Sequence, residues 1–337
     1  MKPARGAVSS GPAEASLSLD RIAAAIARDP SDIVVMSGSR QEGFGNARSD
    51  YDIYVVTADD RTHDEAKLIV PVGDVYLDYQ AYTRSQLLDI AESLGRIDPA
   101  DLAAVSRLPL ARLDTYYRFL IAAPILNEPA FTQLRARFTK ACIDALVESW
   151  CGVRAAAALD EAHRLLALGR RTGGYIAAQK AAAAATDSFL ASRGESFPSF
   201  KWRFEKLRRS VADTDPIYQW SWSLKAIGTR EIEDYVAEVA RFCRDAGVGR
   251  YQGWSLDEVV YRPAAAARLV EIAGVAYIVM NKSTLFELTG AAKAVWCAVD
   301  GVARRREVKA RAAADGAMPE QAVEALLFDL VDLGLIV

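Results

Sequence analysis

The feature that most constrains the fold is the stretch SGSRQEGFGNARSDYDIYVV, residues 37–56, in which small flexible residues give way to an apolar strand. Two aspartates, Asp50 and Asp52, stand at this junction with one tyrosine between them. On a strand, residues i and i+2 point to the same face, so the two carboxylates lie side by side. Such carboxylates repel each other unless a cation lies between them, and oxygen-only ligation suits Mg²⁺. The stretch therefore predicts a cation site at the start of a strand.

A third carboxylate, Asp78, lies within VYLDYQAYT, residues 75–83, which also has the composition of a strand. Three such carboxylates can hold two metal ions that bridge the attacking and leaving oxygens of a phosphoryl displacement. Upstream, Gly38 and Ser39 allow the backbone to approach a triphosphate closely, with N–H and hydroxyl donors facing it. The competing interpretation is a turn with solvated aspartates, which is common for an isolated Asp-x-Asp. The combination of Gly-Ser, ten intervening residues, the aspartate pair and a later strand aspartate favours the metal site.

These residues resemble the motif of the DNA polymerase β-like nucleotidyltransferase superfamily, and the stretch is most similar to its small-substrate branch, which includes aminoglycoside nucleotidyltransferases. The resemblance implies an enzyme that uses two Mg²⁺ ions and a nucleoside triphosphate, ATP or another NTP. It also implies that the first two aspartates bind metal ions and that the third completes the site. The matching positions are Gly38, Ser39, Asp50, Asp52 and Asp78, and the predicted catalytic and metal-binding residues are Asp50, Asp52 and Asp78.

The helical middle of the chain adds a candidate phosphate contact. Enzymes of that superfamily often carry a helical domain with a lysine that touches the phosphates, and RRTGGYIAAQKAAAAA, residues 170–185, is similar to that helix. The resemblance makes Lys180 the candidate, although a solvated helix face is the competing interpretation. The predicted nucleotide-binding residues are Gly38, Ser39, Arg40, Ser49 and Lys180.

Hydrophobic periodicity and composition divide the chain into successive regions. Mixed helix and strand patterns predict a nucleotidyltransferase domain over 17–125, and long alanine-rich patterns predict a helical domain over 126–252. Residues 260–337 restart as three strands followed by three helices, whereas residues 1–16 lack an apolar segment and are predicted to be a disordered tail. The predicted fold class is α+β, with an N-terminal mixed sheet and helices, a central helical domain and a C-terminal winged helix.

The strand and helix order of the last seventy or so residues resembles the PqqD-like fold, carried here by STLFELTGAAKAVWCAVDG (283–301) and VEALLFDLVDLGLIV (323–337). In that family the domain binds the leader segment of a ribosomally made peptide, which adds a strand to the sheet edge beside the third helix. A winged helix that touches DNA is the alternative, encouraged only by RRREVKAR (304–311). The resemblance implies peptide contacts by Thr284, Leu285, Phe286, Glu287 and Leu327.

Composition narrows the classes of partner. The net charge of −3 supplies no field that would attract a nucleic acid. The four cysteines show no CxxC spacing and only two histidines accompany them, which disfavours a zinc site and favours reduced thiols in a cytoplasmic protein. No apolar run approaches the length of a membrane span. We therefore predict a nucleoside triphosphate and a peptide leader as partners, with neither nucleic acid nor membrane.

Three functions remain open on the sequence. The first is a Mg²⁺-dependent nucleotidyltransferase that modifies a ribosomally synthesised precursor peptide held by its leader. The second is a nucleotidyltransferase that modifies a small molecule such as an aminoglycoside, with a merely structural C-terminal domain. The third, a non-catalytic binding protein, would require a degraded set of aspartates, whereas all three aspartates are present.

Overall fold

A computed structural model describes residues 29–46, 49–57, 67–72, 75–198, 200–251, 253–316 and 318–337. The chain divides into two compact units, residues 1–96 with 111–143, and residues 97–110 with 144–337. Helices dominate the second unit and a mixed sheet lies in the first. The predicted α+β fold class is confirmed.

The first unit contains a five-stranded sheet in the order β3-β4-β2-β1-β5. Strands β2 and β4 are parallel and every other neighbouring pair is antiparallel. Its strands are β1 (Ile33–Ser37), β2 (Tyr51–Thr57), β3 (Lys67–Val72), β4 (Val75–Thr83) and β5 (Ala123–Leu126), and its helices are α1 (Gly38–Gln41), α2 (Arg84–Gly95), α4 (Leu110–Ile121, counted after α3 of the second unit) and α5 (Glu128–Arg135).

The two faces of this sheet follow from the alternation of residues along β2. Ile53 and Val55 point to one face, where they join Val34, Leu77 and Tyr79 in a buried core. Asp52 and Tyr54 point to the opposite face because their positions differ from those by one residue. On that face Tyr54 packs against Phe119 of α4, with 5.5 Å between the ring centroids. Helix α4 therefore covers the face that carries Asp52.

The helical part of the second unit is built around small side chains. Ala178, Ala181 and Ala185 of the alanine-rich segment are fully buried in a core that also contains Tyr235 and Phe242. Alanines allow helices to approach closely, and they keep a high helix propensity. The helices are α3 (Leu102–Ser106), α6 (Lys140–Ala167, which begins in the first unit), α7 (Arg171–Ser192), α8 (Arg203–Ser210), α9 (Pro216–Ser223) and α10 (Ile232–Asp245).

The end of the second unit has the predicted order of three strands and three helices. The strands form an antiparallel sheet in the order β6-β7-β8. The two tight turns of this sheet lie at Ala273-Gly274 and Asn281-Lys282, where all four residues have positive φ, as tight hairpins require. The elements are β6 (Ala267–Ile272), β7 (Val275–Met280), β8 (Thr284–Leu288), α11 (Gly290–Ala298), α12 (Arg305–Gly316) and α13 (Glu320–Asp332).

The starts of α11 and α13 follow local sequence signals, whereas strand β5 does not. Thr289 caps α11 as predicted, because its side chain accepts a hydrogen bond from the N–H of Ala292, and Pro319 immediately precedes α13. Strand β5 was not predicted, since its four residues include a proline and show no alternation. The tail over 1–16 lies outside the described residues, and the boundaries at 125, 252 and 260 stay predictions. Within the described ranges, no helix has the length and apolar character needed to cross a membrane.

Candidate active site

The sheet of the first unit brings two of the predicted aspartates side by side. Asp52 of β2 is the direct partner of Asp78 on the parallel strand β4, and Ser37 of β1 faces Asp52 from the other side. Paired residues on neighbouring strands point to the same face, and the strands lie about 4.8 Å apart. Asp50 stands just before β2 and is exposed to solvent. The structure therefore places a row of three polar side chains across three strands, with Asp50 beside its end.

The backbone at Gly38 lies directly against the Asp52 carboxylate. Gly38 has a φ of +74°, a conformation that other L-residues rarely adopt. A β-carbon added at Gly38 would lie 1.9 Å from Oδ2 of Asp52, which is far inside van der Waals contact. The glycine is therefore required twice, for the turn that leaves β1 and for the space that the carboxylate occupies.

Gly38→Ala is expected to lower the free energy of unfolding by about 3 kcal/mol and to reduce activity, because it adds a collision with Asp52 to the cost of a positive φ. Gly43→Ala is the matched control, since Gly43 also has a positive φ, of +83°, but a β-carbon there would meet nothing within 4 Å. We expect this control to lose only about 1 kcal/mol. Urea unfolding of both variants measures the difference, and equal losses would contradict the close approach of Gly38 to Asp52.

A partly buried guanidinium from α4 holds the Asp52 carboxylate. Arg118 donates from Nη1 to Oδ1 of Asp52 at 2.9 Å and to the Tyr54 hydroxyl at 2.8 Å, and from Nε to Asp114 at 2.6 Å. The backbone of α4 is also connected to β1, because the Ser37 hydroxyl donates a hydrogen bond to the Arg118 carbonyl at 2.7 Å. Burial works against the charged guanidinium, but Tyr54, Asp114 and Asp52 outweigh it and raise the pKa of Arg118. Sequence reasoning missed this arginine.

Tyr54 stays protonated beside this ion pair. Burial is the main cause that raises the pKa of Tyr54 far above its usual value, and the neighbouring Asp52 carboxylate adds to the effect while Arg118 opposes it. A phenol in this state acts as a hydrogen-bond partner and not as an ionised base at neutral pH. Tyr54 therefore contributes position, not charge, to the site.

The loop between α1 and β2 is held together by Arg40 and Ser49. The Arg40 guanidinium donates from Nε and Nη2 to the Ser49 carbonyl at 3.1 and 2.7 Å, and it lies 4.1 Å from the centre of the Tyr51 ring. The Ser49 hydroxyl accepts a hydrogen bond from the N–H of Asn46. Ser39 is buried, and its carbonyl accepts from the N–H groups of Phe44 and Gly45. These contacts brace the loop, and the nucleotide contacts of Ser39, Arg40 and Ser49 stay predictions.

The remaining predicted residues lie in the second unit. Lys180 is an exposed residue of α7, and its contact with a nucleotide stays a prediction. On the edge strand β8, Thr284, Leu285 and Glu287 are exposed, whereas Phe286 is partly buried against the core. Leu327 requires a correction, because it is fully buried in the core of the C-terminal part and has no surface to offer a peptide. Its i, i+3, i+4 pattern marked a core face, not a binding face.

The carboxylates fit a hard divalent cation in the kind of ligand atom that they offer. Asp52 and Asp78 present oxygen ligands from two neighbouring strands, and Asp50 lies two residues before Asp52. Among the residues that the structure describes, no three His, Cys, Asp or Glu side chains already stand together in metal-binding geometry. The residues that fit Mg²⁺ are therefore Asp52 and Asp78 with Asp50 beside them, and a two-ion site stays a prediction.

Comparisons with known proteins find similarity at the level of structure. No model of a known protein family matches the chain, and no curated protein matches it. Among solved structures, the chain is similar to a nucleotidyltransferase-like protein from Exiguobacterium sibiricum, at 12% sequence identity and a TM-score of 0.40, over 65% of this chain and 68% of that chain. A similarity at this level carries no argument about activity. The residues that bear on function are Ser37, Asp52 and Asp78, which form the row across β1, β2 and β4.

Proposed function

We propose that this protein is a Mg²⁺-dependent nucleotidyltransferase that uses a nucleoside triphosphate, ATP first among them, to modify a ribosomally synthesised precursor peptide. The observation that carries the proposal is the direct pairing of Asp52 with Asp78, with the Gly38 backbone against the Asp52 carboxylate. An aspartate pair placed across strands beside a turn with a positive φ supports binding of a metal ion together with a phosphate chain.

Each residue of the site has a proposed task. Asp50, Asp52 and Asp78 would hold Mg²⁺, which when bound neutralises the charge that develops on the transferring phosphoryl group. Gly38 and Ser39 would lie against the phosphates, because they form the turn directly beside the Asp52 carboxylate that would hold the metal ion. Arg118 is a positioning residue: it fixes one oxygen of Asp52 and reduces the repulsion between the neighbouring carboxylates.

The edge of the C-terminal sheet supports the choice of a peptide as acceptor. Among the described residues, β8 pairs with β7 on one side only, so its other side offers backbone N–H and C=O groups to an added strand. Leu285 is 57% exposed on this strand, and Ile272 is 53% exposed on β6. Leu285 thus offers an apolar contact beside the outer edge of β8. A leader bound there would raise the local concentration of a weakly held core segment.

Incubation with ATP and Mg²⁺ tests the proposed function. The full-length protein would be mixed with a precursor peptide encoded beside its gene, or with an aminoglycoside, and each product weighed by mass spectrometry. Addition of a nucleotidyl group to the peptide supports the first function, and addition to the aminoglycoside alone supports the small-molecule alternative. Addition of a phosphoryl group would correct the reaction type. Absence of any product with either acceptor, while the protein is folded, contradicts the proposal.

Leu285→Asp is expected to weaken leader binding at least about tenfold, because it places a charge on the exposed face of the strand that the peptide would extend. Val302→Asp is the matched control, since Val302 is a 79% exposed apolar residue of the same unit outside β8. Fluorescence-anisotropy titration of a labelled leader against each full-length variant measures the effect. Equal affinities for the two variants would argue against β8 as the leader site.

A further inference from the structure

A cavity of about 470 Å³ lies within the second unit, where α6 and α7 meet the 3-10 turn Leu256–Glu258 and the C-terminal part of the chain. Alanines form much of its walls, with Ala157 and Ala158 on α6 facing Ala183 and Ala184 on α7. Larger side chains at these positions would fill the space. The volume falls in the range of pockets that hold small organic ligands.

The charged groups of the cavity leave a positive excess. Arg203 donates two hydrogen bonds to Asp187, at 2.9 and 2.6 Å, so these two charges cancel. Lys180 and Arg154 line the same cavity, and neither makes a hydrogen bond or ion pair with another residue in the described ranges. Glu161 is the remaining acid, and burial raises its pKa against the opposing influence of Lys180 and Arg305. An anion is the complementary ligand.

Aromatic side chains supply the apolar surface. Trp150 and Tyr261 are largely buried, whereas Phe200 is 42% exposed at the cavity. The Arg154 guanidinium lies 4.4 Å from the centre of the Trp150 ring, which holds this cation over the aromatic face. An anionic group would therefore meet cations next to flat apolar walls.

The two sides of the cavity are fixed to each other by a buried ionic cluster. Arg164 of α6 donates to Asp257, at 2.8 Å, and to Glu324 of α13, at 3.3 Å. Glu324 is also paired with Lys309 and with the fully buried Arg305, whose Nη1 donates to the hydroxyl of the cavity residue Tyr261 at 2.6 Å. Charged contacts of this kind define one relative position of the helices. The cavity is thus formed before any ligand arrives, which lowers the cost of binding.

We propose that this cavity binds a small aromatic molecule with a single anionic group, a carboxylate or a phosphate monoester, and that Lys180 is its principal charged contact. The proposal stands apart from the proposed nucleotidyl transfer, since every residue that it uses lies in the second unit. It gives Lys180 a ligand other than the nucleotide predicted from the sequence, and competition with ATP distinguishes the two assignments.

Isothermal titration of the full-length protein with four naphthalene compounds tests the proposal. The probes are 1-naphthyl phosphate, 1-naphthylacetate, the neutral 1-naphthaleneethanol and the cationic 1-naphthylmethylamine. We expect both anions to bind at least about tenfold more tightly than the neutral compound, and the amine to bind most weakly. The relative affinities of the two anions distinguish a phosphate ligand from a carboxylate ligand. Equal affinities for charged and neutral probes, or no binding by a folded protein, would overturn the proposal.

Substitutions of cavity residues test whether the naphthyl anions bind in this cavity. Lys180→Met is expected to weaken anion binding at least about tenfold, and Lys180→Glu to reverse the preference toward the amine. Lys293→Met, which removes a partly exposed helical lysine that pairs with Glu271 at the C-terminal sheet, should leave it unchanged. Ala184→Phe should abolish binding by filling the space, with the exposed Ala310→Phe as its control. Because Ala184→Phe can fail to fold, the Lys180 variants decide, and an unchanged affinity in Lys180→Met would refute the assignment.

The last part of the experiment is competition between ATP and the naphthyl anions. If ATP displaces the naphthyl anions and Lys180→Met weakens ATP binding equally, the cavity belongs to the proposed nucleotide site, and the assignment of a separate ligand is wrong. If ATP does not compete, the separate site is supported. This outcome is independent of whether nucleotidyl transfer itself is observed.

Discussion

Asp52→Asn is expected to reduce nucleotidyl transfer at least about a hundredfold while the fold is retained. The change removes the charge of a proposed metal ligand but keeps the size of the side chain and its place beside Asp78. Asp50→Asn should behave similarly, because Asp50 supplies the second carboxylate on the same side of the strand start. Steady-state turnover with ATP and Mg²⁺, together with circular dichroism of each variant, measures both effects. Turnover within roughly tenfold of the parent protein in either variant would contradict the metal assignment.

A variant at Asp78 separates the effect on turnover from the effect on ATP binding, and a control variant outside the site accompanies it. Asp78→Asn should also damage turnover severely, but ATP binding should survive better than in Asp50→Asn, because a metal ion carried by the phosphates needs fewer protein ligands. Asp234→Asn is the control, since Asp234 is an exposed residue of α10 in the second unit. It should leave turnover unchanged. Equal loss of ATP affinity in the Asp78 and Asp50 variants would place Asp78 in the nucleotide–metal site.

Arg305→Ala is expected to lower the free energy of unfolding by about 3–5 kcal/mol. Arg305 is fully buried, its Nη2 lies 2.8 Å from Glu324, and its guanidinium lies 4.5 Å from the centre of the Phe328 ring. Removing the cation leaves the Glu324 carboxylate buried with less compensating charge, and it also leaves a cavity. Urea unfolding followed by tryptophan fluorescence measures the loss.

Arg306→Ala is the control for the loss of an arginine at the neighbouring position. Arg306 is half exposed and pairs with Glu258 at 2.5 Å, and an exposed pair contributes at most about 1 kcal/mol. The double replacement of Arg305→Met with Glu324→Leu separates two explanations. It should recover part of the stability, because no Glu324 charge is left buried without Arg305, and Lys309 and Arg164 both keep Asp257 as a partner. A loss in Arg305→Ala no larger than that in Arg306→Ala would show that the cluster contributes little.

The strands that form the site could be predicted because their residues are locally informative. The segments YDIYVVT and VYLDYQAYT correspond to β2 and β4 with the same bounds. Their β-branched and aromatic residues favour strands regardless of the partner strand. The parallel pairing of Asp52 with Asp78 was not predictable in register, since β4 lies between β3 and β2 and its alignment depends on both neighbours. Register depends on the whole sheet, not on either segment.

Arg118 and the cavity could not be found in the sequence for a different reason. Arg118 is 66 residues from Asp52 in the chain and sits in an ordinary amphipathic helix, where an arginine is usually solvated. The alanine run of α7 predicted tight packing, which is correct for Ala181 and Ala185. Ala183 and Ala184 lie on another side of the same helix and border the cavity. Sequence shows that alanines are small, but only the neighbours decide whether the space is filled.

The register of β2 makes correct folding and an assembled site a single event. A shift of one residue would turn Asp52 away from Asp78, and the same shift would expose Ile53 and Val55, which now lie in the core. A mispaired chain would therefore lack the assembled site. It would also expose an apolar strand that proteases and chaperones recognise. Quality control that recognises exposed apolar surface would remove the molecules that lack the aspartate pair. The specific activity of a preparation should consequently report its folded fraction.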